Sequence, residues 1–127
     1  MRRLFTLDEA RAELPLVLAA AAEVIELRAD LAEATARLRD GDRSVGLPEV
    51  KATEARLSEV LDGFVGSGIE VKGFAPLLLD FPSLLDGREV LLCWLEGETD
   101  IGWYHDPASG FAGRRRLPTE PPGGVTS

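Results

Sequence analysis

The sequence has few cysteines, no long apolar run and no signal peptide. Cys93 is its one cysteine, so the chain forms no intrachain disulfide and suits a reducing compartment. No run approaches the roughly 20 apolar residues of a membrane-spanning helix. The first residues also lack the apolar core and cleavage site of a signal peptide. We therefore expect a cytoplasmic protein with no membrane partner.

Basic charge is scarce as well. Lysine and arginine number 14 against 22 acidic residues, which leaves a formal net charge of −8. The one basic run, 114–116, is set in an acidic molecule. Because phosphate contacts supply most of the affinity of nucleic-acid binders, we expect no nucleic-acid partner.

The remaining composition is that of an ordinary globular protein, with 45% hydrophobic and 28% charged residues. A chain of 127 residues can bury a core without help from disulfides or metals. We expect one domain over 1–117, with a helical hairpin over 6–66 and a sheet over 68–117. The segment 118–127, rich in Pro, Gly, Thr and Ser, is expected to be a disordered tail.

A long helix is predicted near the N-terminus. Thr6 and Glu9 have the spacing of a capping box, in which each side chain accepts from the backbone amide of the other. Pro15 lies too deep for the first turn, so we expect a short lead-in helix, kinked or broken between Ala12 and Pro15, before a long helix to Arg39. In the long helix, apolar residues alternate in spacings of three and four: Leu14, Val17, Ala21, Val24, Leu31 and Leu38.

A second helix is expected from about Pro48 to Phe64 or Val65, with the turn-rich segment 40–48 before it. Its apolar seam is Val50, Thr53, Leu57, Val60 and Phe64, so the two helices should pair antiparallel. The first helix is apolar beyond its seam, and such surface marks an interface. We therefore expect a homodimer through the hairpin, with Leu18, Ile25 or Leu27 in the contact.

After residue 68 the hydrophobic period changes to two, which predicts strands at 69–72, 76–81, 89–95 and 100–105. The segments 82–88 and 96–99 are predicted turns. The fold class is therefore α+β: a long antiparallel helical hairpin followed by a small, mostly antiparallel sheet of about four strands. Closing the last hairpin around Gly97-Glu98 predicts three facing pairs: Trp94 with Ile101, Leu92 with Trp103, and Val90 with His105.

Several segments together resemble one family. They are Leu4-Phe5-Thr6-Leu7 with Leu14-Pro15, Gly68-Ile69-Glu70-Val71-Lys72, Leu79-Asp80-Phe81-Pro82 with Gly87-Arg88-Glu89-Val90, Cys93-Trp94 with Gly97-Glu98, and Trp103-Tyr104-His105 with Gly110-Phe111-Ala112-Gly113-Arg114. From about residue 3 to 117 the chain is similar to the family catalogued as domain of unknown function 2203. The resemblance implies a shared fold and a shared site, but no reaction.

The last of these segments concentrate the unusual side chains. Both tryptophans, the only tyrosine, the only histidine and the Gly110-Phe111-Ala112-Gly113-Arg114 segment fall within 21 residues. One interpretation is a ligand pocket with aromatic walls. The other, which is the commoner use of such clusters, is a corner of the core. The candidate ligand-binding residues are Trp94, Glu98, Trp103, His105, Gly110, Gly113 and Arg114.

His105 is the strongest single candidate for a functional residue. It could act as a general base, or as a metal ligand with a carboxylate from Glu98, Asp80 or Asp106. One histidine and one cysteine make a poor metal set, so we expect no metal and no cofactor. The alternative is that His105 caps the end of its strand through a hydrogen bond.

The segment after His105 has two interpretations. Gly110, Gly113 and Arg114 either offer backbone N–H groups and a guanidinium to an anion, or form a turn in which Arg114 pairs with Glu98 or Asp80. Cys93, in an apolar strand, is expected to be inert core.

Two classes of function follow from these observations. The helical seam favours a non-enzymatic, self-associating interaction or scaffold module. The alternative is a small-molecule or metal-binding protein, or an enzyme, that uses the corner formed by Trp94, Trp103, His105 and Arg114. The sequence names no substrate for it.

Overall fold

The computed structural model describes residues 2–118. The expected tail over 118–127 lies, except for Pro118, outside the described residues. The chain forms two helices followed by a five-stranded sheet and one short 3-10 turn. In order, these are α1 (Leu7–Arg39), α2 (Leu47–Gly66), β1 (Glu70–Phe74), β2 (Leu77–Leu85), β3 (Arg88–Leu95), β4 (Trp103–His105), the 3-10 turn (Phe111–Gly113) and β5 (Arg115–Arg116).

Helix α1 begins at the predicted capping box. The Thr6 hydroxyl accepts from the Glu9 amide at 3.0 Å, and the Thr6 amide donates to Glu9 Oε1 at 2.8 Å. The expected division at Pro15 is wrong, since one helix runs through the proline from Leu7 to Arg39. Pro15 is exposed, so its ring lies where it meets solvent rather than packed neighbours, and the flanking turns keep the helix continuous.

The two helices pack along the predicted seams. On α1 the residues Leu14, Val17, Ala21 and Val24 are buried, and on α2 so are Val50, Leu57, Val60 and Phe64. The α1 seam weakens toward its C-terminal end, where Leu31 is half-buried and Leu38 is exposed. Outside the seam, the Arg56 guanidinium bridges the helices by donating two hydrogen bonds to the Glu23 carboxylate, at 2.7 and 2.9 Å.

The strands form one antiparallel meander in the order β1-β2-β3-β4-β5. The α+β architecture is therefore confirmed, with a fifth, two-residue strand beyond the four expected. Strand β2 also runs further than predicted, through Pro82 to Leu85, and the turn to β3 is only Asp86-Gly87, both with positive φ. Two consecutive positive φ angles are typical of the tight hairpin turns that match strand twist.

Pro82 lies inside a strand because its missing N–H removes no bond within the sheet. Its carbonyl oxygen accepts from the Phe5 amide at 2.7 Å, on the side of β2 away from β3. The amide and carbonyl of one strand residue point to the same side, so the absent donor also points away from β3. The proline consequently costs β2 no hydrogen bond to β3.

Side chains of the sheet divide between two faces. One face packs on both helices and, with Ile101, forms the main core; its sheet residues are Leu77, Leu79, Phe81, Leu92 and Trp94. The opposite face carries Asp80, Pro82, Leu91, Cys93, Trp103 and His105. Most of this second face is also buried, so it too is covered within the chain.

The predicted pairing of the β3–β4 hairpin is wrong by one residue. Strand β3 pairs with β4 as Leu91↔His105, Leu92↔Tyr104 and Cys93↔Trp103. A slip of one residue moves every side chain of one strand to the other face. Trp94 therefore lies in the core against the helices, whereas Trp103 and His105 lie on the opposite face. Among residues 2–118, neither helix is long and apolar enough to cross a membrane.

Candidate functional site

Three chemically active side chains meet on the second face of the sheet: Asp80 of β2, Cys93 of β3 and His105 of β4. Asp80 and Cys93 are direct partners across the β2–β3 ladder, and His105 pairs with Leu91, two residues from Cys93 on the same face. Their potential ligand atoms all lie within 4.8 Å of one another. All three residues are almost fully buried, with exposed fractions of 1%, 0% and 3%.

The hydrogen bonds of His105 determine which ring nitrogen faces the cluster. Nδ1 lies 2.9 Å from the Asp106 carbonyl oxygen, which can only accept, so Nδ1 carries a proton. Nε2 lies 3.0 Å from Asp80 Oδ2. Because a hydrogen bond between these two atoms requires a proton, Asp80 and His105 share one.

Burial favours the protonated, uncharged forms of the Asp80 carboxyl and the Cys93 thiol. It raises the pKa of the Asp80 carboxyl, although the neighbouring His105 opposes the shift. It also raises the pKa of the Cys93 thiol to about 12, so the sulfur keeps its proton at physiological pH. Asp80 Oδ1 is buried with no hydrogen-bond partner among the described residues. A buried oxygen without a partner costs about 1–3 kcal/mol, which a bound ligand would offset.

Arg114 lies on the same face, held by aromatic rings and one carboxylate. Its guanidinium carbon lies 4.5 Å from the centre of the Trp103 ring and 4.9 Å from that of Phe111. Its Nη2 donates to Glu98 Oε2 at 2.8 Å, while Glu98 Oε1 accepts from the Leu95 amide at 2.8 Å. Within residues 2–118, Arg114 Nε is buried without a hydrogen-bond partner, as is Asp80 Oδ1. The interpretation in which Arg114 pairs with Glu98 is the one found.

The glycines of this segment shape a turn that uses some of its own backbone donors. Gly110 has a φ of 63°, and a Cβ on Gly113 would lie 2.6 Å from the Ser109 side chain. The amides of Gly113 and Arg114 donate to the carbonyls of Gly110 and Phe111 within the 3-10 turn. The amides of Gly113 and Arg114 are therefore not available to an anion.

The residues predicted as one site are only partly brought together. Glu98, Trp103, His105 and Arg114 share the second face, whereas Trp94 lies in the core and donates from Nε1 to the Glu98 carbonyl at 2.9 Å. Glu98, named as a metal-ligand candidate with His105, binds Arg114 and is not in the Asp80–Cys93–His105 cluster.

Cys93 is fully buried and its thiol keeps its proton, as expected for inert core, but sequence reasoning did not place it beside Asp80 and His105. Both Asp80 and Cys93 lie within apolar runs of the sequence. An acidic residue inside such a run was the one feature that could have indicated the cluster. Their direct pairing depends on the β2–β3 register, which the sequence does not display.

Comparison with known proteins identifies the family of the chain. The family model described as "Uncharacterized conserved protein (DUF2203)" matches residues 3–117. The chain belongs to this family. The DUF2203 match spans both helices, all five strands and every residue of the Asp80–Cys93–His105 cluster. No curated protein and no solved structure matches the sequence.

Proposed function

We propose that this chain is a metal-binding protein whose Asp80, Cys93 and His105 hold one divalent transition-metal ion of the zinc type. The observation that carries the proposal is the cluster itself: one carboxylate, one thiol and one imidazole from three adjacent strands, all buried, with their ligand atoms within 4.8 Å. Tetrahedral zinc ligands lie about 3–4 Å apart, so small side-chain rotations would close the set around an ion.

The types of ligand select the metal. Thiolate and imidazole favour Zn²⁺, Co²⁺ and similar ions, whereas Mg²⁺ and Ca²⁺ prefer oxygen ligands. His105 is already oriented for this role, because Nδ1 donates to the Asp106 carbonyl and leaves Nε2 facing Asp80. Histidines that bind metals are commonly held by such a bond from the other ring nitrogen.

Charge balance also supports a divalent ion. A thiolate and a carboxylate together carry two negative charges, which neutralise a divalent metal in a buried site. Binding would displace the Cys93 thiol proton and the proton shared by Asp80 and His105. We therefore expect about two protons to be released for each ion bound at neutral pH.

Titration calorimetry with Zn²⁺, in buffers of different ionisation enthalpy, measures both the stoichiometry and the proton release. Co²⁺ serves as a spectroscopic probe, since a thiolate ligand adds a charge-transfer band in the near ultraviolet. We expect one ion per chain, and at least about 100-fold weaker binding in Cys93→Ser and Asp80→Asn.

Asp106→Asn is the matched control, because it changes a carboxylate next to His105 that lies outside the cluster. Its Zn²⁺ affinity should stay within about threefold of the unmodified protein. The proposal is overturned if neither Zn²⁺ nor Co²⁺ binds stoichiometrically, or if Asp80→Asn and Asp106→Asn weaken binding equally.

A second candidate function, self-association through the hairpin, is favoured by an exposed stripe on α1. Six uncharged residues recur at spacings of three and four on one exposed side: Pro15, Leu18, Ala22, Ile25, Ala29 and Ala32. Leu27, one of the three residues expected in a dimer contact, instead packs against the core.

The occupant that best fits this stripe is a second copy of the same chain. In an antiparallel two-fold arrangement, Ile25 of each copy meets Ala22 of the other, and Leu18 meets Ala29. Large residues then oppose small ones along the whole contact. Light scattering at micromolar concentration should give twice the chain mass of 13.7 kDa. A mass of one chain would contradict this candidate.

A further inference from the structure

The three residues proposed to bind the metal are attached unequally to the sheet. Asp80 of β2 and Cys93 of β3 face each other within a ladder that pairs eight residues of β2, 78–85, without a break. His105 ends β4, which pairs with β3 at three residues. Because each ladder pair adds hydrogen bonds and side-chain contacts, a short pairing opens more easily than a long one. The strand of His105 is therefore the most weakly held of the three.

Strands β4 and β5 form a hairpin, residues 102–117, that is anchored in the core at its base. There the Leu117 amide donates to the Gly102 carbonyl at 2.8 Å, and the side chains of Ile101 and Leu117 are buried in the main core. The two strands pair with each other at two residues. His105 lies at the opposite end of β4 from this base, so its attachment depends on the pairing with β3 and on side chains.

One buried side-chain bond ties the His105 end of the hairpin to the rest of the sheet. Nε2 of His105 lies 3.0 Å from Asp80 Oδ2, and it thus reaches past β3 to β2, which is not a neighbour of β4. A second polar tie, between Arg88 and Asp106 at 4.0 Å, is exposed and stabilises little. A metal ion held by Asp80, Cys93 and His105 would add one bond to each of three strands at this end.

We propose that the bound ion fastens the hairpin 102–117 to β2 and β3, so that occupancy of the site controls whether the hairpin stays closed on the sheet. This inference rests on the proposed metal site. The three ligand residues are at most 3% exposed, so an ion reaches them when the hairpin opens. Opening also withdraws His105 and leaves two protein ligands, so the open form binds the ion more weakly than the closed form.

Hydrogen exchange of the full chain, followed by mass spectrometry without metal and with saturating Zn²⁺, measures this opening segment by segment. Since the ion prefers the closed form, Zn²⁺ at about 100 times its Kd should lower the open population by up to about 100-fold. We expect peptides that cover 103–113 to exchange at least about tenfold more slowly with Zn²⁺. Peptides of α2, which contributes no residue to the site, should change by less than about twofold.

Two variants separate the link through β4 from the mere presence of an ion, each measured at a Zn²⁺ concentration that saturates it. His105→Ala leaves Asp80 and Cys93, which lie in β2 and β3, so Zn²⁺ should no longer slow exchange in the hairpin. Cys93→Ala is the matched control, because it also loses one ligand but keeps the link from Asp80 to His105. In this variant Zn²⁺ should still slow exchange in the hairpin, at least about fivefold.

The comparison of the hairpin with α2 in the unmodified protein decides the inference even where a variant fails to fold. Calorimetry on the same sample measures whether Zn²⁺ is bound. Stoichiometric binding that slows exchange equally in the hairpin and α2, or in neither, overturns this inference and leaves the metal site standing. Slower hairpin exchange in His105→Ala with Zn²⁺ also overturns it. A chain that binds no Zn²⁺ overturns both proposals.

Discussion

At the scale of single residues, one carboxylate ties the long helix to the end of the sheet. Both oxygens of Glu96 accept from the Arg28 guanidinium at 2.9 Å, and Oε1 also accepts from the Leu77 amide at 2.8 Å. Arg28 in turn donates to the Phe74 carbonyl at 2.7 Å. The bonds from Arg28, followed by the one from Leu77, lower the pKa of Glu96 to about 2.

Because of this lowered pKa, the free energy of unfolding should depend on pH in the acid range. The folded-state pKa of Glu96 lies below its ordinary value of 4.5, so the stabilisation is present above that pH and is lost as pH falls toward about 2. At neutral pH, Glu96→Gln should lower the free energy of unfolding by about 1–2 kcal/mol, since the pair is partly solvated. Urea unfolding at several pH values should show this difference shrinking below about pH 4.5.

Glu33→Gln is the control, because Glu33 forms only an exposed pair with Arg37 at 3.5 Å. Its effect on stability should stay within about 0.5 kcal/mol. A Glu96→Gln difference that stays constant from neutral pH into the acid range would contradict the role assigned to the ionised carboxylate.

At the scale of elements, α1 contains a proline at an interior position, where proline destabilises a helix. Pro15 lies inside the helix, in its third turn, where it removes the hydrogen bond to the Arg11 carbonyl and crowds that group. The helix continues because the residues on both sides of the proline, Leu14 and Val17, are buried against the rest of the core. Tertiary packing here overrides the local tendency of proline to end a helix.

Pro15→Ala should therefore stabilise the protein. Restoring the hydrogen bond and removing the crowding should raise the free energy of unfolding by about 1–3 kcal/mol, after allowing for the greater freedom of the unfolded chain. Pro48→Ala is the matched control, because Pro48 lies in the first turn of α2, where no such bond is lost. Thermal or urea unfolding measures both variants. A loss of stability in Pro15→Ala would show that the ring contributes packing at this position.

The sheet shows the same contrast between local signals and assembly. The first four strands were recognisable from their apolar pattern, whereas β5 was not. The β3–β4 loop is closed by contacts that no pattern displays. The Glu98 side chain accepts from the Leu95 amide, and the Glu98 carbonyl accepts from the Trp94 ring. These bonds set a register one residue from the expected one, and that shift alone separates Trp94 from Trp103 and His105.

At the scale of the whole molecule, the sheet covers one side of the hairpin and leaves the α1 stripe exposed. Leu18 and Ile25 are 36% and 38% exposed. Regularly spaced apolar side chains with this exposure form a surface that is typical of an interface. Within residues 2–118, no segment packs over them. The proposed second copy would bury both.

Ile25→Glu should split such a dimer, because it places a charge opposite the partner's apolar stripe. Light scattering should then give the mass of one chain, with circular dichroism showing unchanged helix content. Leu16→Glu is the control: Leu16 lies on the same helix, 72% exposed and outside the stripe, so this variant should keep the mass of the unmodified protein. If Ile25→Glu also keeps that mass, the stripe is not the interface.

The sequence by itself determined the features that depend on short-range physics. The capping box at Thr6 and Glu9, the antiparallel seams of α1 and α2 and the change of period after residue 68 all act within a few residues of one another. For this reason the α+β architecture and the helix ends were accessible from residue types and spacing. The Arg114–Glu98 pair, 16 residues apart, was one of two pairings expected for Arg114.

Only the tertiary structure decided which side chains meet on the second face of the sheet. Asp80, Cys93 and His105 come from three strands, and their meeting requires two registers to be correct at once. Each register depends on loop contacts and on the packing of the opposite face against the helices. A side chain's neighbours across a sheet are set by the whole assembly. The sequence therefore offered Asp80 as one of three possible partners of His105, but did not show that Cys93 joins them.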